Sequence, residues 1–115
     1  MIVSIKGILI NKNPDEIIIE TSGLGYACFI SDNTYDSLPK IGSEICLFTY
    51  FHVTETCHYL FAFNDIKEKE LFLLLISVSG IGPKTAIVLL SAVSADEFKR
   101  ILTVVGLAIQ FLLIK

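Results

Sequence analysis

The stretch Ile2-Val3-Ser4-Ile5-Lys6-Gly7-Ile8-Leu9-Ile10 decides the fold class of the N-terminal half of this chain. Its many β-branched residues favour an extended strand, and Gly7 interrupts them near the centre. A glycine inside a strand commonly marks a bulge or a sharp bend, which the strands of a small barrel need. The stretch therefore predicts the bent first strand of a β-barrel.

Four further strand-like segments follow, at residues 16–21, 26–30, 44–53 and 58–63. The turn Ser22-Gly23-Leu24-Gly25 joins two of them with a hairpin signature, and the short loop 54–57 joins the last two. Residues 31–38 are polar and long enough for one or two helical turns, with Ser31 or Asp32 as the cap. Five strands with a small helix between the third and fourth predict a Greek-key barrel of the oligonucleotide-binding type, the OB-fold.

The pattern becomes helical after residue 64, with a charged helix start, an apolar run and a second helix at residues 85–90. Ser94-Ala95-Asp96-Glu97 has the pattern of a capping box and predicts the start of a third helix. The chain is therefore predicted to be an α+β protein with two units, a five-stranded barrel at 1–64 and a helical module at 65–115.

The run Ser79-Gly80-Ile81-Gly82-Pro83-Lys84-Thr85 lies between the first two predicted helices. Its two glycines permit a tight turn and a close approach to the backbone, and the isoleucine between them can plug the groove between the helices. Pro83 suits the first helical position, where its missing N–H costs nothing. The free amides of that first turn then form a phosphate site with the charge of Lys84 at its rim. The candidate phosphate-binding residues are Ser79, Gly80, Ile81, Gly82, Lys84 and Thr85.

Two other glycine-rich motifs are excluded by their spacing. A dinucleotide-binding fingerprint needs a third glycine where Thr85 stands, and a P-loop needs a glycine directly before Lys84, where Pro83 stands. The alternative without a function is an ordinary Gly-Pro turn between two helices. The plug, the proline and the lysine together favour phosphate binding over that alternative.

The charge is unevenly divided along the chain. The formal net charge is −3, made of −4 in residues 1–64 and +1 in residues 65–115. The chain is therefore not a basic protein that coats polyanions, and any anion site is expected in the second half. Hydrophobic residues make up 53% of the 115 residues and the mean hydropathy is +0.69. In so short a chain this excess indicates a partner surface, most simply a second copy.

Membrane insertion, metal binding and catalysis find no support in the sequence. The uncharged stretch between Arg100 and Lys115 is shorter than the roughly 18–20 residues that a membrane span needs. An odd number of cysteines, with no signal peptide after Met1, predicts reduced thiols and a cytoplasmic location. Metal ligands usually recur at short, regular spacings. Such spacings are absent among the candidate ligands Cys28, Cys46, Cys57, His52 and His58. Strand alternation predicts that Cys28 and Cys46 pack in the core. No nucleophile motif appears, so we expect no metal, no cofactor and no enzymatic activity.

The run at residues 79–85 resembles the helix-hairpin-helix motif, which binds the DNA backbone independently of sequence. Up to about residue 100, the whole chain resembles the RuvA family of bacterial proteins that grip four-way Holliday junctions. The resemblance is carried by Lys6-Gly7, Gly23-x-Gly25-Tyr26, Leu38-Pro39, Phe48-Thr49, Phe61-x-Phe63-Asn64, Glu70 with Phe72, and Gly80-Ile81-Gly82-Pro83-Lys84. These residues are spread over both predicted units, which makes the resemblance more specific than any single motif.

The resemblance implies a barrel followed by paired helix-hairpin-helix motifs, whose phosphate-binding residues become DNA contacts. It implies a homotetramer, or an octamer, that holds Holliday junction DNA open for branch migration in recombination and repair. In the family, a separate C-terminal domain docks the hexameric ATPase RuvB, and RuvA itself does no chemistry.

Glu55 is the second candidate that the resemblance implies. By composition alone, an acid in the loop Thr54-Glu55-Thr56-Cys57 is a solvated turn residue. The family places acidic pins in this loop, where carboxylates at the junction centre repel phosphates and keep the strands apart. The family's second acid is replaced by Thr56, which implies a weaker pin.

The sequence departs from the family after about residue 100. No second Gly-x-Gly follows the first, and the motor-binding domain is missing, as a frameshifted or truncated reading would explain. Coupling to the RuvB-type ATPase is therefore expected to vanish. Two alternatives remain: a non-catalytic oligomeric scaffold with impaired DNA binding, and a generic single-strand binder that stacks bases on the aromatic side chains of the barrel.

Overall fold

A computed structural model describes residues 1–92, 97, 100, 101, 103, 104 and 107. The strands and helices are β1 (Ser4–Lys12), β2 (Glu16–Thr21), β3 (Leu24–Phe29), α1 (Asp32–Ser37), β4 (Glu44–Val53), β5 (His58–Phe63), α2 (Ile66–Ile76) and α3 (Pro83–Ser91). Ser94, which carries the predicted capping box, and Lys99 lie outside the described residues.

The five strands form a closed barrel in the order β1-β2-β3-β5-β4, as the sequence predicts. All neighbouring strands are antiparallel except β3 and β5, which pair in parallel and close the barrel. Alternate side chains point inward, so the barrel interior is filled by Leu9, Ile17, Ile19, Cys28 and Leu47, each of them fully buried. The OB-fold of the sequence prediction is therefore confirmed.

The hairpin turn between β2 and β3 follows the sequence prediction closely. Ser22 and Gly23 both have positive φ angles, 52° and 83°, between the last residue of β2 and the first of β3. Two consecutive residues with positive φ define a type I′ turn, whose twist matches that of the strands it joins. This turn aligns β2 and β3 in register from Glu16 with Phe29 to Thr21 with Leu24.

Gly7 lies at a close approach of two backbones, and the bulge that the sequence offered there as one of two possibilities lies elsewhere in β1. A Cβ atom on Gly7 would collide with the carbonyl oxygen of Glu20 and would lie 2.9 Å from Cγ2 of Ile19. The pairing of β1 with β2 shifts register further along, between Leu9 and Asn11. A glycine within a strand is typical of a bulge and also of a close approach of two backbones. The residue type alone therefore does not distinguish the two.

The two strand cysteines have opposite environments. Cys28 is fully buried, as predicted, and its burial raises the pKa of the thiol to about 12, which keeps it neutral. Cys46 is exposed, so its predicted place in the core is wrong. Its neighbours Ile45 and Leu47 point inward, and the alternation of the strand therefore turns Cys46 outward.

A second core joins the helices to the barrel. It consists of Phe61, Phe63, Leu71, Phe72, Ala86 and Leu90. The ring of Phe72 from α2 lies 4.9 Å from that of Phe63 and 5.3 Å from that of Phe61, between ring centres. Buried aromatic pairs contribute about 0.5–1.5 kcal/mol each beyond the area they bury. The hairpin of α2 and α3 is therefore fastened to the barrel by fully buried side chains.

A buried carboxylate links α1 to α2. Glu68 is only 2% exposed, and one of its oxygens, Oε1, accepts hydrogen bonds from the hydroxyls of Ser31 at 2.7 Å and Thr34 at 2.8 Å. Ser31 is also the N-cap of α1, as predicted, because its Oγ accepts from the amide of Thr34. The cap of one helix and the first turn of the next therefore share one polar cluster.

Candidate nucleic-acid interface

The turn between α2 and α3 is closed by its own backbone. The amide of Ile81 donates to the carbonyl of Val78 at 3.1 Å, and Gly80 has a φ of +89° at the third position of this turn. A positive φ there is the reason for a glycine. The side chain of Ile81 is half-buried against the aromatic core, which is the plug that the sequence predicts. Gly82 then begins α3 as its N-cap.

The amides around the start of α3 are free in the described part of the chain. The first helical bond is donated by Ala86 to the carbonyl of Gly82 at 3.0 Å. No hydrogen bond from the described residues occupies the amides of Ser79, Gly80, Gly82, Lys84 and Thr85, and all five residues are exposed. Pro83 stands at the first helical position, where no amide is needed. Free amides at the positive end of a helix dipole favour an anion.

The side chain of Lys84 is exposed, but its ammonium lies against two aromatic rings. Its ammonium Nζ lies 4.5 Å from the ring centre of Tyr59 and 5.2 Å from that of Phe29. Both rings belong to the barrel, on β5 and β3, so Lys84 crosses from the helical hairpin to the barrel. The ammonium of Lys84 therefore lies where the helical hairpin meets the barrel.

The loop that carries Glu55 lies beside the same rings. Thr54 closes the loop, because its amide donates to the carbonyl of Cys57 at 2.8 Å and its hydroxyl accepts from the Cys57 amide at 3.0 Å. Glu55 is exposed at the tip. Hydrogen bonds from Tyr59, and then from Thr56 and Thr54, hold the pKa of the Cys57 thiol below its ordinary value, with a contribution from the positive charge of Lys84.

The structure thus brings two predicted elements together, the turn at residues 79–85 and the loop at 54–57. The ammonium of Lys84 lies 4.5 Å from the ring centre of Tyr59, which follows the loop closely in the sequence. Lys67 and Arg100, two further basic residues in the second half of the chain, are exposed. Lys69 is half-buried.

Sequence reasoning missed the role of Phe29 and Tyr59. Their spacing indicates only core residues or copy-to-copy contacts, because each belongs to an ordinary alternating strand. The parallel pairing that sets Phe29 opposite Phe61 appears only when the barrel closes, and Tyr59 lies on the same strand as Phe61. No signal in the sequence brings these rings to Lys84.

The described residues hold neither a candidate metal cluster nor a candidate membrane span. They contain no cluster of three or more His, Cys, Asp or Glu side chains arranged to hold a metal ion. None of the helices among them combines the length and the apolar character that crossing a bilayer requires.

Comparison with known proteins places the fold in a family. Residues 1–62 match the family described as RuvA N terminal domain. Over 100 residues the chain is 43% identical to the Holliday junction branch migration complex subunit RuvA of Amoebophilus asiaticus (strain 5a2), covering 87% of this chain and 52% of the relative. The subunit RuvA of Neisseria meningitidis serogroup C / serotype 2a is 44% identical with the same coverage, and that of Chlorobium phaeobacteroides (strain BS1) is 42% identical with 50% of its length covered. The chain spans about half the length of these curated relatives. This chain belongs to the RuvA family, and its barrel is the RuvA N-terminal domain.

Proposed function

We propose that these residues bind the sugar–phosphate backbone of Holliday junction DNA, as the junction-holding part of a branch migration complex. One observation supports this most strongly: the exposed, unpaired amides at the start of α3 lie next to the cation of Lys84 in a chain of the RuvA family. Such a site recognises phosphate without reading bases. The expected specificity is therefore for the shape of the DNA rather than its sequence.

The turn between α2 and α3 acts, in this proposal, as a helix-hairpin-helix motif. The DNA contacts are the amides of Ser79, Gly80, Gly82, Lys84 and Thr85, with Ile81 as the plug that holds the turn to the core. One hairpin supplies few phosphate contacts, so useful affinity needs several copies acting together.

Self-assembly is the second element of the proposal. The outer face of the barrel carries exposed apolar side chains on neighbouring strands, with Ile8 at 37%, Ile10 at 42% and Phe48 at 38% exposure. Exposed apolar side chains that lie together favour burial against another protein surface. We propose that copies of this chain bury them in a homotetramer, or an octamer, around the junction.

Glu55 acts as the acidic pin in this proposal. Its carboxylate stands at the exposed tip of the loop 54–57, and the cation of Lys84 rests on Tyr59 just after that loop. Attraction grips the arms of the junction, and repulsion at the crossover keeps the strands apart. The single acid makes a weaker pin than the pair that is typical of the family.

The motor and the location complete the proposal. The ATP-driven step belongs to a RuvB-type partner, and the residues described here supply geometry rather than chemistry. Three free cysteines fit a reducing cytoplasm. A scaffold that assembles but binds DNA poorly is the second candidate, favoured by the exposed apolar residues of the barrel and by a single helical hairpin among the residues that the structure describes.

A gel-shift titration separates these candidates. The protein is titrated against a four-way junction, a linear duplex and oligo-dT over a series of salt concentrations. Tight, salt-sensitive binding that prefers the junction supports the proposal. No shift at micromolar protein supports the scaffold, and a preference for oligo-dT supports the single-strand binder. The native mass with and without junction DNA reports the number of copies.

Replacement of Lys84 by alanine is expected to weaken junction and duplex binding alike, by about five- to tenfold, and to lower the salt slope by about 1 for each bound copy. Junction and duplex are expected to lose affinity by the same factor, because the lysine contacts phosphate and not the crossover. Lys67→Ala is the matched control, since Lys67 is an exposed lysine on α2. Affinity unchanged by Lys84→Ala would refute the hairpin site.

Replacement of Glu55 by lysine is expected to raise DNA affinity about fivefold for every DNA form and to reduce the preference for the open junction. A cation at the loop tip removes the repulsion that favours separated strands. The ratio of junction to duplex affinity, measured at fixed salt, checks this. A ratio that survives the substitution would show that Glu55 is not a pin.

A further inference from the structure

The cation of Lys84 is held by two rings at once. Its Nζ lies 4.5 Å from the ring centre of Tyr59 and 5.2 Å from that of Phe29. The two rings contact each other edge to face, with centres 5.6 Å apart and planes at 69°. An ammonium in this position is attracted by the negative faces of the rings. We call the pair Phe29 and Tyr59 the aromatic seat.

The rings of the aromatic seat pack against the aromatic core, and this packing restricts their movement. The ring of Phe29 lies 5.6 Å from that of Phe61, which is fully buried and lies 5.3 Å from the ring of Phe72 on α2. The ring of Tyr59 lies 6.5 Å from that of the same Phe61. A cation resting on such rings is ordered before any ligand arrives.

The aromatic seat holds the ammonium without neutralising it. Among the described residues, the one ion pair is between Lys6 and Glu44 at 3.7 Å, and no carboxylate lies within salt-bridge distance of Lys84. A lysine that is ordered by a carboxylate loses its net charge to the partner, whereas a lysine on aromatic rings keeps it. The charge at the start of α3 therefore remains available to an anion.

We propose that Tyr59 and Phe29 are positioning residues for backbone phosphate, because they hold the uncompensated ammonium of Lys84 at the end of α3 that carries the free amides. A flexible lysine must give up side-chain entropy when it binds, and an ordered one gives up less. The barrel thus contributes to phosphate binding through the hairpin lysine. This inference rests on the proposed function of the hairpin and adds barrel residues to it.

The test is a double-mutant cycle on junction and duplex affinity, using Tyr59→Leu, Lys84→Ala and the double variant. Tyr59→Leu is expected to weaken binding about three- to fivefold, the scale of an exposed to partly buried cation–ring contact. In the Lys84→Ala background, the same substitution is expected to cost almost nothing further. Tyr59→Phe keeps the ring and is expected to bind like the parent chain.

Tyr35→Leu is the matched control, because Tyr35 on α1 lies under the cation of Lys12 at 5.0 Å and packs against the barrel core. It removes the same kind of contact away from the turn at residues 79–85 and is expected to leave affinity unchanged. The inference fails if Tyr59→Leu binds DNA with the affinity of the parent chain. It also fails if Tyr59→Leu lowers the affinity by the same factor in the Lys84→Ala background as in the parent chain. If the parent chain itself binds no junction, the proposed function fails instead.

A second measurement keeps the inference testable if Tyr59→Leu is poorly folded. In the free parent chain, the aromatic seat is expected to shift the ε-methylene protons of Lys84 upfield in the NMR spectrum, through the ring currents. Tyr59→Phe is expected to retain this shift. Protons of Lys84 at the position of a free lysine in both chains would overturn the inference without any DNA measurement.

Discussion

Replacement of Gly7 by alanine is expected to destabilise the protein by about 3 kcal/mol, since the added Cβ overlaps backbone that cannot move alone. The Cβ would collide with the carbonyl oxygen of Glu20, which belongs to the β1–β2 ladder. Relieving the collision requires the two strands to separate, and both are part of a closed barrel. Urea unfolding followed by near-UV circular dichroism measures the loss.

Gly25→Ala is the matched control for this prediction. Gly25 also lies within a strand, but its added Cβ would meet Cγ2 of Ile18 at 3.3 Å, an atom of a side chain that can shift. We expect a change of about 1 kcal/mol or less in its free energy of unfolding. Equal losses for the two variants would mean that the contact with the Glu20 carbonyl oxygen is not the reason for the glycine at position 7.

The second large effect is expected for Glu68→Ala, at about 2–4 kcal/mol of unfolding free energy. Its Oε1 accepts from both Ser31 and Thr34, so the substitution leaves two buried hydroxyls without their acceptor. Thr34 in turn accepts from the amide of Asn64 at 3.3 Å, where the barrel ends. The hydrogen bonds affected by the substitution therefore connect the N-cap of α1, the end of the barrel and the first turn of α2.

Two further variants sharpen this test by thermal and urea unfolding. Glu68→Gln keeps an oxygen that can accept both hydroxyl bonds, and about 1 kcal/mol of loss is expected. Glu70→Ala removes an exposed carboxylate from the same helix and is expected to change stability by less than about 0.5 kcal/mol. If Glu68→Ala were as mild as Glu70→Ala, the buried cluster would contribute nothing to stability.

The shared core gives the helical hairpin a fixed position against the barrel. Phe72 from α2 and Leu90 from α3 are buried with Phe61 of β5, and α3 is also tied to α1 through the hydroxyl of Ser91, which accepts from the amide of Asp32 at 3.0 Å. Hydrogen bonds and burial on both sides leave the hairpin little freedom. The turn between α2 and α3 therefore keeps its position relative to the Glu55 loop, which the proposed grip on DNA requires.

Local signals predicted much of the fold. The turn at Ser22 and Gly23, the cap at Ser31 and the turn at residues 79–82 all depend on residues adjacent in sequence, where conformational preference acts directly. The exposed amides at the start of α3 follow from the same local chemistry, since every helix begins with unpaired donors. These elements are therefore readable from the chain alone.

Predictions were less accurate for residues whose surroundings come from segments distant in the sequence. The closeness of Gly7 to Glu20, the outward direction of Cys46 and the burial of Glu68 each depend on a second segment whose register is set only on folding. Residue type narrows the possibilities in such cases but does not choose between them. The core position predicted for Cys46 was wrong, and the bulge of β1 lies beyond Gly7, between Leu9 and Asn11.

The amino-acid sequence by itself determined the five strands, the helical hairpin and the glycine turn at residues 79–82, because these rest on contacts between near neighbours. Only the tertiary structure decided that Lys84 rests on Tyr59 and Phe29 beside the Glu55 loop. That arrangement needs the parallel pairing of β3 with β5 and the packing of α2 on the barrel, both of which join residues distant in sequence. Contacts of this kind form through closure and burial of the whole chain, and no local preference encodes them.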